Sequence, residues 1–132
     1  MTWTGRMRVR SFGELEAAIM DVVWSAGRPL LVREVLERLQ RSPEPAYTTV
    51  QTVMDILHRK GWLNRAKDGR AYRYEPSASR EDYAAGLIGE VLAATPDRKA
   101  TLVRLVETMD ASEHAALKNA LAAAKRGRRS SR

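Results

Sequence analysis

The stretch from Tyr47 to Pro76 constrains the fold of this chain more than any other segment. Its first half repeats apolar side chains at intervals of three and four residues, which is the period of an α-helix with one buried face. Gly61 ends that helix, and two short segments typical of β-strands follow, separated by the turn pair Asp68-Gly69. The order of these signals predicts a helix that is followed at once by a β-hairpin.

A shorter helix is expected immediately before this stretch. Apolar residues recur with helical spacing between Val32 and Leu39. The segment at residues 42–45 contains two prolines and must be a turn, because proline removes a backbone donor and blocks a helix interior. Two short helices joined by a compact turn form a helix-turn-helix, and the hairpin adds a wing to it. Leu30 and Leu31 can add a third strand to that hairpin.

The residue types that are missing exclude several classes of function. The chain has no cysteine, which removes disulfides, thiolate metal sites and cysteine nucleophiles, and its two histidines, His58 and His114, are far apart in sequence. No catalytic triad, phosphate-binding loop or metal cluster can be assembled, so we expect neither an enzyme nor a cofactor. Without an apolar run of about 20 residues or a signal peptide, the expected location is the cytoplasm, with no membrane partner.

Positive charge is concentrated in particular parts of the chain. The net charge is +7, and residues 77–124 carry a slight excess of Asp and Glu, whereas the segments on either side are basic. The hairpin region carries Arg65, Lys67, Arg70 and Arg73. The outward face of the preceding helix is polar but hardly charged. Such a helix can enter a DNA groove while a basic hairpin holds phosphate, although the same arginines also suit a solvated strand face.

The helices predicted after Pro76 are amphipathic and need something to cover their apolar faces. The apolar positions are Leu87, Ile88, Val91, Leu92, Leu102, Leu105, Val106, Met109, Leu117 and Leu121. We expect a second copy of the chain to cover them in a two-fold homodimer. Such a dimer would set two groove-binding helices about one turn of DNA apart, roughly 34 Å, on a double-stranded operator with dyad symmetry.

The predicted fold class is therefore mainly α with a small antiparallel β-sheet. It consists of a winged helix-turn-helix followed by a C-terminal helical dimerisation region. A helix preceding the helix-turn-helix is expected to start from the capping residue Ser11 and to end at Gly27. The predicted divisions are a flexible arm at 1–10, a winged-helix DNA-binding domain at 11–77, a helical dimerisation domain at 78–124 and a disordered basic tail at 125–132.

Four segments, taken in order, resemble the penicillinase-repressor family of transcriptional regulators (BlaI/MecI type). They are Gly13–Trp24 (GELEAAIMDVVW), Pro29–Leu39 (PLLVREVLERL), Ala46–Leu63 (AYTTVQTVMDILHRKGWL) and Asp68–Asp82 (DGRAYRYEPSASRED). The resemblance extends from Phe12 to Ala124. It implies a homodimeric repressor with an N-terminal winged helix and a C-terminal helical dimerisation region, binding palindromic operators of β-lactam-resistance genes or related loci.

The resemblance also implies which residues contact DNA. The positions of the family's base-reading residues correspond to Thr48, Thr49, Gln51 and Thr52. Threonine offers a hydroxyl and a methyl group to base edges, and glutamine can pair bidentately with adenine. The expected contacts with the DNA backbone are Tyr47, His58, Arg59, Lys60, Arg65, Lys67, Arg70 and Arg73.

Two features depart from the family pattern. In the penicillinase repressors, induction depends on cleavage of an Asn-Phe bond in the dimerisation half, and the matching position here is Arg104-Leu105. A regulatory protease acting as a partner of this chain would therefore need a different recognition sequence. The copper-responsive branch carries a cluster of C-terminal cysteines, and this chain has none, which excludes copper control through that cluster.

Two other functions are compatible with the sequence. A winged helix can serve as a protein-interaction module, in which case DNA affinity would be absent or insensitive to salt. A small-molecule-responsive DNA-binding regulator would instead hold a ligand in a pocket between the two halves, and a stabilising ligand in a thermal-shift screen would support it.

Overall fold

Helices dominate the structure, a computed structural model that describes residues 12–130 of the chain. The helices and strands are α1 (Glu14–Ala26), β1 (Leu30–Leu31), α2 (Val32–Arg38), α3 (Tyr47–Arg59), β2 (Leu63–Asp68), β3 (Ala71–Pro76), α4 (Arg80–Ala94), α5 (Arg98–Glu107) and α6 (Ala111–Ser130). The predicted fold class, mainly α with a small antiparallel sheet, is confirmed. The arm expected at residues 1–10 and the capping residue Ser11 lie outside the described residues.

The sheet has three antiparallel strands in the order β1-β3-β2. Strands β2 and β3 form the predicted hairpin, in which Asp68 pairs with Ala71 and Gly69 takes a φ of 66° in the turn between them. Glycine adopts that backbone conformation without a steric penalty, which is why the Asp-Gly pair marks the turn in the sequence. Leu30 of β1 lies opposite Tyr74 of β3, so β1 is the third strand.

The buried core is built from α1, α2, α3 and the sheet. Its members are Ile19, Met20, Val23, Leu30, Val32, Val35, Leu39, Val50, Met54, Leu57, Leu63 and Tyr74. Full burial of one aliphatic side chain stabilises a fold by about 1.5–3 kcal/mol. Helix α3 contributes Val50, Met54 and Leu57 at helical spacing, so its inner face fixes the helix and its outer face stays at the surface.

The chain divides into two compact units, Met1–Glu90 and Val91–Arg132, called here the winged-helix unit and the C-terminal unit. The division lies inside α4, and the domain boundary predicted between residues 77 and 78 stays a prediction. The first turn of α4 is bonded to α1 through Arg80 and Asp21, and Tyr83 of α4 packs edge-on against Trp62, just before β2. Residues 76–79, next to that predicted boundary, therefore belong to the winged-helix unit.

The disordered tail predicted at residues 125–132 is corrected by α6, which continues to Ser130. Alanine precedes this segment, and lysine and arginine are good helix formers. Positive charge also interacts favourably with the C-terminal end of a helix dipole. The basic composition that suggested disorder therefore extends the helix, and residues 131–132 lie outside the described residues.

Candidate nucleic-acid interface

The outer face of α3 holds the four residues predicted to read bases. Residues advance by about 100° around a helix, so Thr48 and Thr52 project directly away from the buried side. Thr49 and Gln51 lie on the two flanks of that outer face. All four side chains are exposed. The structure thus offers an uncharged polar surface on a helix anchored from behind, and DNA contact by these residues stays a prediction.

The N-terminus of α3 carries no negative charge of its own. Ala46 occupies the capping position, no side chain among the described residues caps it, and the first turn contains no acidic residue. The first backbone N–H groups of a helix lack partners within the helix and carry partial positive charge. Tyr47, at this end, is exposed. This end of α3 can therefore donate hydrogen bonds to an anion such as a phosphate.

A cleft separates the N-terminal half of α3 from the hairpin. It encloses about 300 Å³, and its polar lining comes from Arg33, Tyr47, Gln51, Arg70 and Tyr72. Arg33 was not among the predicted contacts. The pairing of β1 with β3 carries the start of α2 to the hairpin and with it Arg33, whose side chain is 71% exposed. Only the short strand signal before α2 could have indicated this placement.

The cations of the hairpin fall into two groups. Lys67 and Arg70 are exposed at its tip, and neither forms an ion pair within residues 12–130. Arg65 donates to Asp55 over 2.9 Å and lies over the ring of Tyr72, 4.2 Å from the centroid. Arg73 has acidic partners of its own, described next. Among the described residues, two of the hairpin cations are therefore neutralised, and the two at the tip have no counter-charge.

Glu34 joins α2 to the hairpin. Its carboxylate accepts hydrogen bonds from the backbone N–H of Leu31 (2.9 Å), from Arg28 (3.0 Å) and from Arg73 (3.1 Å). The backbone bond from Leu31, then the bond from Arg28, then the charges of Arg28 and Arg73 lower the pKa of Glu34 to about 2. Arg73 also donates to Asp68 over 2.6 Å. The ionised Glu34 thereby fixes the angle between α2 and the wing.

Asp55 joins α3 to the hairpin in a similar way. It accepts from Arg59 over 2.5 Å and from Arg65 of β2 over 2.9 Å, and these bonds, that from Arg59 first, lower the pKa of its carboxyl group. Sequence reasoning missed the structural roles of Asp55 and Glu34. The four-residue spacing of Asp55 and Arg59 was the only signal available for either of them.

The C-terminal end of α3 is fixed to the start of the hairpin. The Nδ1–H of His58 donates to the carbonyl of Leu63 over 2.9 Å, and Lys60 pairs with Glu16 of α1 over 3.3 Å. His58 is half-buried, whereas Arg59 and Lys60 are exposed. Of these three predicted backbone contacts, His58 therefore has an evident structural role, and Arg59 and Lys60 remain accessible at the surface.

None of the residues predicted for a dimer interface is buried within the described chain. In the winged-helix unit, Ile88 of α4 is 53% exposed. In the C-terminal unit, the exposed fractions are 43% for Leu102, 39% for Leu105 and 62% for Leu121. The others are half-buried: Leu87, Val91, Leu92, Val106, Met109 and Leu117. Val103, 57% exposed, was missed because it falls outside the three-four spacing that defined the stripe.

Metal-binding and membrane-spanning features are absent from the part of the chain that the structure describes. No group of His, Cys, Asp and Glu side chains there could hold a metal ion. No helix there is long and apolar enough to cross a membrane.

Comparison with known proteins gives consistent matches. Residues 12–123 match the family described as penicillinase repressor. The transcriptional regulator BlaI of Mycobacterium tuberculosis, in two strains, is 42% identical over 118 residues, which cover 87% of this chain and 86% of that protein. The penicillinase repressor of Bacillus licheniformis is 29% identical over 76 residues, which cover 58% of this chain and 59% of that protein.

Among solved structures, the monomeric form of Bacillus licheniformis BlaI in complex with the blaP half-operator is 29% identical, with a TM-score of 0.46. The match covers 58% of this chain and 92% of that one. The family match over most of the chain and the 42% identity to a full-length relative decide the classification. This chain belongs to the penicillinase repressor family of DNA-binding transcriptional regulators, which have a winged-helix fold and are not enzymes.

Proposed function

We propose that this protein is a homodimeric repressor that binds palindromic operator DNA in the cytoplasm and controls β-lactam-response genes or related loci. The observation that carries the proposal is the outer face of α3, which is polar, uncharged and exposed, beside a hairpin tip whose cations have no acidic partner within residues 12–130. The names of the family and of the Bacillus licheniformis relative support the class of regulated genes.

Helix α3 enters the major groove with its N-terminal half. Thr48 and Thr52 face the base edges, and Thr49 and Gln51 reach bases from the flanks of the helix. Their hydroxyl, methyl and amide groups discriminate between base pairs, because each pair presents a different pattern of donors, acceptors and methyl groups in this groove. Specificity therefore rests on uncharged side chains.

Phosphate contacts come from groups around this face. The hairpin tip supplies Lys67 and Arg70, the end of α3 supplies Arg59 and Lys60, and the start of α3 supplies Tyr47 and its free backbone N–H groups. Arg33 adds a further cation across the cleft. His58, Arg65 and Arg73 act mainly by holding the hairpin against α2 and α3, because each is half-buried with its partner there. Arg59 and Lys60 also have acidic partners, Asp55 and Glu16, but their side chains stay exposed.

A second copy of the chain covers the apolar faces of the later helices. Exposed apolar side chains in α5 and α6, such as Leu102 and Leu121, favour burial against another chain over contact with water. A two-fold dimer would place two α3 helices on successive turns of DNA, which requires an operator with two inverted half-sites.

A regulatory protease remains part of the proposal for induction. The Arg104-Leu105 bond, which matches the family's cleavage position, lies inside α5 rather than in an exposed loop. Proteolysis concentrates at loop tips and termini, so cleavage here would require α5 to open locally.

Binding measurements on single variants test the DNA-reading role. The operator is the fragment that the purified protein selects from genomic DNA, and the comparison duplex has the same composition in scrambled order. Thr52→Ala and Gln51→Ala should each lose about 1–3 kcal/mol of discrimination between the two duplexes. Thr101→Ala, on α5 of the C-terminal unit, is the control and should change neither affinity.

Three outcomes would contradict the proposal. Equal losses of Thr52→Ala on operator and scrambled DNA would remove the base-reading role. No DNA binding, or an affinity that does not change between about 50 and 200 mM salt, would favour a protein-interaction module instead. A small molecule that stabilises the protein and releases it from DNA would favour a ligand-responsive regulator.

A further inference from the structure

Four aromatic rings hold the start of α4 against the winged helix. We call Phe12, Trp24, Trp62 and Tyr83 the aromatic clasp. Tyr83 of α4 stacks on Phe12 with ring centroids 4.2 Å apart and meets Trp62 edge-on at 5.1 Å and Trp24 at 5.7 Å. Phe12 in turn meets Trp62 at 5.1 Å. Tyr83 thus sits among three rings that belong to the DNA-binding part of the chain.

Hydrogen bonds fix the clasp at specific atoms. The backbone N–H of Phe12 donates to the hydroxyl of Tyr83 over 3.0 Å, and the indole N–H of Trp24 donates to the carbonyl of Ala78 over 2.9 Å. Arg80 donates to Asp21 over 2.7 Å and lies over the ring of Trp24. Stacked and edge-on packing already restricts how the four rings meet, and these directed bonds add further restraints.

The segment that leads into α4 is also fixed. The backbone N–H of Ser77 donates to the carbonyl of Trp62 over 3.0 Å, and its hydroxyl donates to the carbonyl of Gly61 over 2.5 Å. The hydroxyl of Ser79 accepts from the backbone N–H of Asp82 over 3.0 Å, which defines where the helix starts. Hydrogen bonds therefore hold the segment between β3 and α4 against the winged helix.

A small tilt at the clasp has a large effect along α4. The helix has 15 residues, and at 1.5 Å per residue a tilt of about 10° moves its far end by roughly 4 Å. One base pair rises by about 3.4 Å along DNA. The direction of α4 must therefore be held to within several degrees if a dimer is to recognise one spacing of half-sites.

We propose that the aromatic clasp fixes the direction in which α4 leaves the winged helix, and thereby the half-site spacing that the dimer accepts. Tyr83 is a positioning residue, since it acts on the placement of two α3 helices without touching DNA. The inference rests on the proposed function, because it requires a dimer on two half-sites. In this protein, part of the operator specificity lies in a contact remote from the bases.

The test is a spacing series measured with wild type, Tyr83→Ala and Tyr83→Phe. Duplexes carry two half-sites at the selected spacing or with one to three base pairs added or removed between them, and a further duplex carries a single half-site. Wild type should lose about tenfold in affinity for each base pair of change. Tyr83→Ala should bind the selected spacing about tenfold more weakly and the altered spacings with less than about threefold spread.

Two controls separate positioning from folding. Affinity for the single half-site and the dimerisation constant should be unchanged in Tyr83→Ala, because Tyr83 is neither a predicted DNA contact nor one of the predicted interface residues. Tyr83→Phe keeps the stacked rings and loses only the bond from Phe12, so it should retain most of the wild-type selectivity. If Tyr83→Ala fails to fold, Arg80→Ala and Trp24→Phe are measured in its place. Each should reduce the preference for the selected spacing in the same way, but by a smaller factor.

The outcomes distinguish this inference from the function on which it rests. If Tyr83→Ala keeps the wild-type preference for one spacing and an unchanged half-site affinity, the inference is wrong but the proposed function stands. The same holds if both replacement variants keep the full preference. If wild type binds two half-sites no better than one, the proposed dimeric function fails as well.

Discussion

The two units of this chain differ in how far they bury their apolar side chains. In the winged-helix unit, Leu57 is fully buried and every other core side chain also lies between Ile19 and Tyr74. In the C-terminal unit no described side chain is buried, and Leu121 is 62% exposed. The first unit is complete within one chain, whereas the second presents apolar surface that a single chain leaves in water. In the proposed function, DNA recognition therefore rests on a self-sufficient scaffold, and assembly rests on the unit whose apolar side chains stay exposed.

The same contrast recurs among charges. Arg73 of β3 forms ion pairs with Glu34 and Asp68, whereas Arg70 at the hairpin tip has no acidic partner within residues 12–130. A group satisfied within the chain contributes to the fold. A group left unsatisfied by the chain marks the surface where something else is expected to bind.

The largest expected effect compares equal truncations in the two units. Leu57→Ala should lower the free energy of unfolding by about 2–5 kcal/mol, because it opens a cavity in a closed core. Leu121→Ala should leave the unfolding of the winged-helix unit unchanged and should instead make the C-terminal transition more dependent on protein concentration. Urea unfolding at several concentrations measures both. If both variants lose equal free energy of unfolding, independent of protein concentration, the two units do not differ in this way.

The next effect concerns assembly. Leu121→Asp should weaken dimerisation by about a hundredfold or more, because an unpaired charge would be buried between copies. Asn119→Asp adds the same charge about 160° around the same helix and is the matched control. Sedimentation equilibrium of the two variants provides the comparison. Dimers of unchanged strength in Leu121→Asp would show that this face of α6 is not the interface.

A smaller effect is expected at the hairpin. Arg70→Ala should weaken binding to operator and scrambled DNA alike by about tenfold and should reduce the slope of log affinity against log salt by about one. Arg73→Ala should change that slope little and should lower thermal stability, since Glu34 and Asp68 lose a partner. Equal reductions of the salt slope in Arg70→Ala and Arg73→Ala would contradict this difference between the two arginines.

The smallest effect is a response to acid. Because folding lowers the pKa of Glu34 from 4.5 to about 2, its ionised form stabilises the folded chain above pH 4.5. This contribution declines as the pH falls towards 2. Glu34→Gln should therefore be less stable than wild type at neutral pH, and the gap should close between these two pH values. Glu44→Gln, an exposed substitution in the turn before α3, should leave the unfolding curves where they are. A gap that persists at pH 2 would exclude this role for Glu34.

Local signals predicted the elements of the winged helix well. The three-four spacing of Val50, Met54 and Leu57 and the Asp68-Gly69 turn are properties of short segments, and the structure confirms both. The positive φ at Gly69 follows from the same local rules. These features need no knowledge of which distant residues meet.

Other features depend on contacts between distant positions and could not be predicted in that way. Tyr83 meets Phe12 across 71 residues of sequence, so nothing in residues 76–79 revealed that this segment is held against the winged helix. The pairing of Arg65 with Asp55 likewise depends on how β2 crosses α3. At the C-terminus, helix propensity outweighed the polar composition that suggested disorder.

In our proposal, the C-terminal unit joins two complete winged helices on one operator. The most direct test of this proposal is the mass and affinity of complexes formed with duplexes carrying one or two half-sites, measured by sedimentation and titration. We predict a dimer without DNA, two chains on the two-site duplex, and an affinity for that duplex about 10²–10⁴-fold above that for one site. Two monomers that bind the half-sites independently, with equal affinity at each, would contradict it.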